Sequence, residues 1–218
     1  MSRFLQSTTQ GMRRVGAMLL LVALLAVGAA AAAPAADGPA GRAAGSFQSG
    51  FNVHHNGWTV LTGSWEHAGS AVFRTDGVAE ARASIVRTGA YEDFSYEIRV
   101  KRLGCATCAN TLVVRSRPAA NTENDFAPAL FFSYTNEAPG EDGMFSVFRI
   151  KPGGAWIVVK GWTHSTAIAK GGWNVLKVEA EGNSFRFYIN GTKVWQGTVA
   201  GPSAGRVGIS MYTDWYLP

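Results

Sequence analysis

The stretch Trp173–Tyr212, WNVLKVEAEGNSFRFYINGTKVWQGTVAGPSAGRVGISMY, decides the fold. Leu176, Val178 and Ala180 share one parity, while Lys177, Glu179 and Glu181 share the other. A strand turns successive side chains to opposite sides, so this segment buries one face and wets the other. Glu181-Gly182-Asn183 interrupts the run, and Phe185, Phe187 and Ile189 then resume the inward parity. Asn190-Gly191 supplies the two φ > 0 positions that a tight hairpin requires. The pattern is three strands separated by two turns. After a Gly/Pro/Ser loop, Val207, Ile209 and Met211 begin a further strand. Such antiparallel structure packs its apolar face against a second sheet.

Working outward from there, Phe94–Arg102 alternates Tyr96, Ile98 and Val100 against Glu97, Arg99 and Lys101. Strands are also predicted over 111–116, 129–134, 144–151 and 155–161, with a short one over 81–87. Trp58–Trp65 and Ala71–Arg74 read as a first strand pair. Ala129–Tyr134 is apolar on both parities, as a central strand should be. No segment carries sustained helical periodicity with caps. About ten short strands with glycine-rich turns predict an all-β, two-sheet antiparallel sandwich or jelly roll.

The 218 residues suit one such domain behind a targeting segment. Arg3, Arg13 and Arg14 lead an apolar run from Val15 to Ala33, followed by small residues. This is the layout of an alanine-rich bacterial signal peptide over residues 1–35, cut after Ala35. The run is also long enough for an uncleaved anchor. A flexible lead over 36–50 and a domain over 51–218 follow. Export makes the protein secreted or periplasmic, with no membrane association after cleavage. The chain carries 20 Lys+Arg and 15 Asp+Glu. Removing the leader's three arginines leaves 17 basic against 15 acidic residues, a net +2. With no basic stripe and no binding module, nucleic acid is not an expected partner.

Cys105 and Cys108 bracket a four-residue loop between two predicted strands. A zinc site needs further ligands, which no second cysteine pair or close histidine pair supplies. A thioredoxin-type redox pair belongs in a βαβ context, which is absent. In an oxidising compartment the pair reads as a local disulfide.

Gly171-Gly172-Trp173-Asn174, the alternating strand, the Gly182-Asn183 turn, Phe187-Tyr188-Ile189-Asn190-Gly191 and Gly205-Arg206-Val207-Gly208-Ile209 together resemble the C-terminal half of concanavalin A-like lectin/glucanase domains. Within that superfamily the chain is similar to laminin-G-like jelly rolls and to 3-keto-disaccharide hydrolase domains. Asp93–Glu97 and Leu112–Arg115 sit where that pattern expects strands. The resemblance spans most of residues 51–212 and implies a jelly-roll fold, with a structural calcium possible. Asp76, Asn52 and Asp214 could offer oxygen ligands, but no spacing ties them together. The family pattern closes with one more strand after Gly205–Ile209, whereas here only Thr213–Pro218 follows Tyr212.

Retaining glucanases of the superfamily carry Glu-x-Asp-x-x-Glu on one strand, which sets two carboxyls in reach of one glycosidic bond. The nearest match, Glu123-Asn124-Asp125-Phe126-Ala127-Pro128, has proline in place of the third acid. No Gly-x-Ser-x-Gly elbow raises a serine. No catalytic residue is assigned. Sugar sites combine aromatic platforms with polar neighbours. The expected ligand-binding set is Trp162 as platform, His164 and Arg149 as hydrogen-bonding partners, and Trp156, Tyr134 and Tyr188 on the same face. Trp58, Trp65 and Trp173 are expected in the core or at a sheet edge. The sequence therefore reads as a non-catalytic module that binds carbohydrate or a cell-surface glycan. A glycoside or 3-keto-disaccharide hydrolase is the alternative, and a protein-binding adhesive or structural module is a third.

Full-length chain expressed in an export-competent bacterium should appear outside the cytoplasm beginning at Ala36. N-terminal sequencing checks this, and recovery of material still starting at Met1 would refute it.

Overall fold

The computed structural model describes residues 19–22, 47, 49, 51, 57–68, 73–75, 82–117, 126–138 and 141–212. Among these there is no helix, and sixteen strands follow one another along the chain. They are β1 (Leu19–Val22), β2 (Trp58–Thr62), β3 (Glu66–His67), β4 (Phe73–Thr75), β5 (Arg82–Arg87), β6 (Phe94–Arg102), β7 (Asn110–Ser116) and β8 (Ala129–Tyr134). The rest are β9 (Glu137–Ala138), β10 (Glu141–Asp142), β11 (Met144–Ile150), β12 (Trp156–His164), β13 (Trp173–Glu181), β14 (Ser184–Ile189), β15 (Thr192–Thr198) and β16 (Arg206–Tyr212).

Two seven-stranded antiparallel sheets form the body. The first runs β15-β14-β13-β6-β1-β4-β3, and the second runs β12-β11-β8-β7-β16-β5-β2. This is the all-β jelly roll that the alternation predicts. Leu176 faces Ile98 on one side and Ile189 on the other, and Val178 faces Tyr96 and Phe187. Both rows are buried, with Leu176, Ile98, Ile189, Val178 and Phe187 fully enclosed. The second sheet answers with Leu112, Val114, Phe132, Val147 and Ile209. Phe132 stacks on Phe187 across the interior, with ring centroids 4.5 Å apart. The turn chemistry also holds: Asn190 and Gly191 take φ of 49° and 79°, which lets β14 reverse into β15 within two residues.

Two buried arginines tie the sheets together near their ends. Arg102, on β6, donates to the carbonyls of Ala109 (3.3 Å) and Tyr212 (2.6 Å) and to Asn110 Oδ1 (3.1 Å) on the opposite sheet. Burial lowers its pKa to about 10, so it stays charged at neutral pH. Arg115, on β7, donates to the carbonyls of Glu92, Pro202 and Gly182, and its guanidinium lies over the Phe185 ring.

Two expectations change. Trp58–Trp65 and Ala71–Arg74 do not form a hairpin. β2 instead pairs with β5 in the second sheet, and β4 pairs with β3 in the first. Gly63, at φ 76°, breaks the run, and the Trp65 indole N–H closes the turn on the Thr62 carbonyl. The predicted strand ending at Gly161 continues to His164. Leu19–Val22, inside the apolar run read as leader, pairs by its backbone between β6 and β4. Cleavage after Ala35 would remove this strand and leave both neighbours with an open edge. The rest of residues 1–35, the lead to Ser46 and the tail 213–218 lie outside the described residues.

Phe187→Ala should lower unfolding stability by about 3–5 kcal/mol, because it removes a ring stacked between the sheets. Urea titration measures this. A loss under about 1 kcal/mol would mean the contact does not carry the interior.

Candidate functional site

Register places the chemistry of the second sheet's outer face. In-register neighbours project to the same side, so the pairings can be followed strand by strand. Thr62 on β2 faces Ser84 on β5, which faces Ser210 on β16. Ser210 faces Thr111 on β7, Thr111 faces Ser133 on β8, and Ser133 faces Ser146 on β11. Six hydroxyl side chains thus line up across six adjacent strands. The Oγ atoms of Thr62 and Ser84 lie 2.6 Å apart, and those of Thr111 and Ser133 lie 2.7 Å apart. Ser146 and Ser210 are fully buried, and their hydroxyls have no hydrogen-bond partner among the described residues. A buried hydroxyl without a partner is uncommon, because it gives up water's hydrogen bonds for nothing.

The next row along the strands is apolar: Val86, Gly208, Val113, Phe131 and Phe148. It seeds a second hydrophobic cluster on the side away from the main core. Phe126 sits edge-on to Phe131 at 5.5 Å, held where the Ser116 hydroxyl donates to the Phe126 carbonyl at 2.9 Å. At the sheet's edge Trp156 packs against Phe131 (5.3 Å) and Phe148 (6.0 Å), and Trp162 packs against Phe148 (6.0 Å).

β12 reaches this arrangement through two irregularities. Phe145 faces Thr163 and Val147 faces Lys160, so Gly161 and Trp162 together oppose the single residue Ser146. Phe148 then faces Val158, which leaves Val159 as a second extra residue, turned toward the main core. A bulge inserts a residue and re-aims its neighbours. Here it sets Trp162 beside the unpaired Ser146 hydroxyl. Val158, 56% exposed, lies between the two tryptophans along the strand. The result is a half-open strip of indole and aliphatic surface with a hydroxyl row at its flank.

The structure therefore unites part of the expected ligand-binding set and separates the rest. Trp156 and Trp162 share the outer face of the second sheet, and exposed His164 ends the same strand. Tyr134 lies in the main core with no exposure, and burial pushes its hydroxyl well above the ordinary tyrosine range. Arg149 sits opposite Leu130, on the inward parity at the end of β11. Tyr188 belongs to the first sheet, where its hydroxyl donates to Glu179 Oε2 at 2.9 Å. Glu179 also accepts from Lys177 at 2.6 Å, and this bond chiefly holds its pKa below the usual carboxylate range. The hydroxyl row escaped the sequence reading. The members are scattered through the sequence one to a strand, and only register reveals that they align.

Trp58 is buried and Trp65 packs on the core, while Trp173 lies under the Arg99 guanidinium at 4.7 Å. Cys105 and Cys108 are disulfide-bonded, with Cα atoms 5.4 Å apart, and close the loop from β6 to β7. Among the described residues no three His, Cys, Asp or Glu side chains cluster as metal ligands. Asn52, Asp76 and Asp214 lie outside those residues.

Residues 46–213 match the model of the 3-keto-alpha-glucoside-1,2-lyase-like domain, and the chain belongs to that family. No curated protein matches it. Among solved structures it is similar to the carbohydrate binding module CBM66 from Bacillus subtilis. That likeness has 21% identity and a TM-score of 0.56 and covers 72% of this chain and 88% of that one. It is also similar to a Bacillus licheniformis beta-glucanase, with 13% identity, a TM-score of 0.51, and 78% and 86% of the two chains covered. A lichenase derived from a mouse hindgut metagenome gives 12% identity, a TM-score of 0.50 and coverage of 76% and 85%. These likenesses establish the shared concanavalin A-like jelly roll. Fold alone leaves activity to be argued from the site.

Thr111→Val strands the Ser133 hydroxyl and should cost about 1–3 kcal/mol. Ser146→Ala removes a hydroxyl that has no partner, so it should be neutral or slightly stabilising. Equal losses for the two variants in urea titration would contradict the assignment.

Proposed function

We propose that this protein is an exported, non-catalytic module that binds carbohydrate through the β12 edge of its second sheet. The observation that carries this reading is the pair Trp156 and Trp162. Both are half-buried on one face of a doubly bulged edge strand. A pyranose ring presents apolar C–H faces and polar edges. Stacking on an indole satisfies the former, and exposed His164 at the end of the same strand offers a polar partner to the latter. Membership of a family described by an alpha-glucoside substrate supports a sugar ligand. So does the fold shared with a carbohydrate binding module. The absence of Glu-x-Asp-x-x-Glu from the sequence supports binding without glycosidic cleavage.

A glycan array with the mature chain tests the proposal. Trp162→Ala should weaken the best ligand roughly 10-fold or more, since aromatic anchors dominate such contacts, while Trp162→Phe retains most of the affinity. Thermal denaturation of both variants reports whether the fold survives. Undiminished binding by a folded Trp162→Ala protein would rule this strip out. The second reading, an enzyme, rests on the lyase in the family's description. Release of the aglycone from a 3-keto-alpha-glucoside by the purified chain would favour it over pure binding.

A further inference from the structure

Beyond the apolar row, the outer face of the second sheet ends in a cavity of about 500 Å³. It is lined by Gly89, Ala90, Ser116, Arg117, Ala204, Gly205 and Arg206. Two of these seven residues are arginines and none is acidic.

A backbone irregularity builds it. Gly208 faces Val113 but Arg206 faces Ser116, so Val114 and Arg115 together oppose Val207. Arg115 takes φ of 52° and turns its side chain inward to the carbonyls of Glu92 and Gly182. Gly205 allows the close approach, because a Cβ there would lie 2.3 Å from the Arg115 carbonyl carbon. With Arg115 turned away, Ser116 and Arg206 lie side by side at the cavity. The Arg117 Nε–H donates to the Ala204 carbonyl at 2.8 Å, which ties the guanidinium to the cavity wall. Arg117 is exposed and Arg206 half-buried.

Glu92 and Asp93, which follow the Gly89-Ala90 wall along the chain, both interact with Arg115. Asp93 accepts the Gly182 N–H at 2.7 Å and faces Arg115 at 3.8 Å. Glu92 supplies its backbone carbonyl to Arg115, and neither residue lines the cavity. Two like charges at one concavity repel each other, and an oxyanion between them would reverse that term. Planar guanidinium matches carboxylate and sulfate with paired hydrogen bonds.

We propose that this cavity holds the oxyanion group, carboxylate or sulfate, of an acidic saccharide, so that the ligand of the proposed carbohydrate-binding reading is an acidic glycan. This rests on that reading for the sugar and on Arg117 and Arg206 for the charge. The cavity and the tryptophan strip lie on one face, about three strand spacings or 14 Å apart, a span that an oligosaccharide bridges.

The test uses the mature chain and backbone-amide NMR titration, followed at Gly89 and Gly205. The probes are D-glucose, D-glucuronate, glucose 6-sulfate and inorganic sulfate. Glucuronate or glucose 6-sulfate should bind roughly 10-fold or more tightly than glucose, as a charge-assisted contact requires. Which of the two prevails identifies the oxyanion. Arg117→Gln and Arg206→Gln should each remove the preference. The proposal is overturned if neither charged sugar outcompetes glucose, if the glutamine variants keep the preference, or if inorganic sulfate alone binds. Success here, with array binding left undiminished by a folded Trp162→Ala protein, would sink the tryptophan strip and spare the cavity.

Discussion

Everything in this molecule depends on the dry layer shared by its two sheets. Each strand through it offers every second side chain to the same interior, and Phe132 and Phe187 meet there ring to ring. Burial of apolar area supplies the driving force, and the interdigitated aromatics select one register. A slip of one residue in β13 would turn Leu176 and Val178 to water and bring Lys177 and Glu179 inward. The polar devices act around this layer. Arg102 and Arg115 reach from one sheet to carbonyls of the other near opposite ends of β6 and β7, where the apolar rows run out. The terminal nitrogens of each guanidinium find backbone acceptors, while each Nε has none among the described residues.

The second sheet is unusual in being buried on both faces. Its inward face joins the main core, while its outward face carries a second cluster around Phe131 and Phe148. This explains why Ala129–Tyr134 is apolar at nearly every position. A hydroxyl is the smallest group that keeps hydrogen-bonding capacity on such a face, and six of them follow one register line. Two lack partners, both in a row whose other members pair off. That mismatch, together with the bulge that carries Trp162, marks where this sheet departs from the regular ladder.

Membership of the family fixes the scaffold and directs attention to sugars. Its relatives by fold include a binding module and glucanases. Holding a saccharide and cleaving it are told apart by side chains, which a shared fold does not specify. In this chain the two rows on that face are hydroxyl and hydrocarbon, with arginines at one end.

The sequence by itself determined the all-β class, most strand bounds, the inward parity and the Asn190-Gly191 hairpin. Each follows from local alternation or from a backbone preference of one or two residues. It also determined that Trp156 and Trp162 share a parity, because two bulged residues between them leave the alternation unchanged. Tertiary structure decided what depends on register between strands distant along the chain. It sent β2 and β4 to different sheets. It enclosed Tyr134, put Tyr188 on the opposite side from Trp162, aligned six scattered hydroxyls, and turned Arg115 away from Arg117. Alternation states which side of a ribbon a residue takes, but not which ribbon lies next to it. That choice belongs to packing.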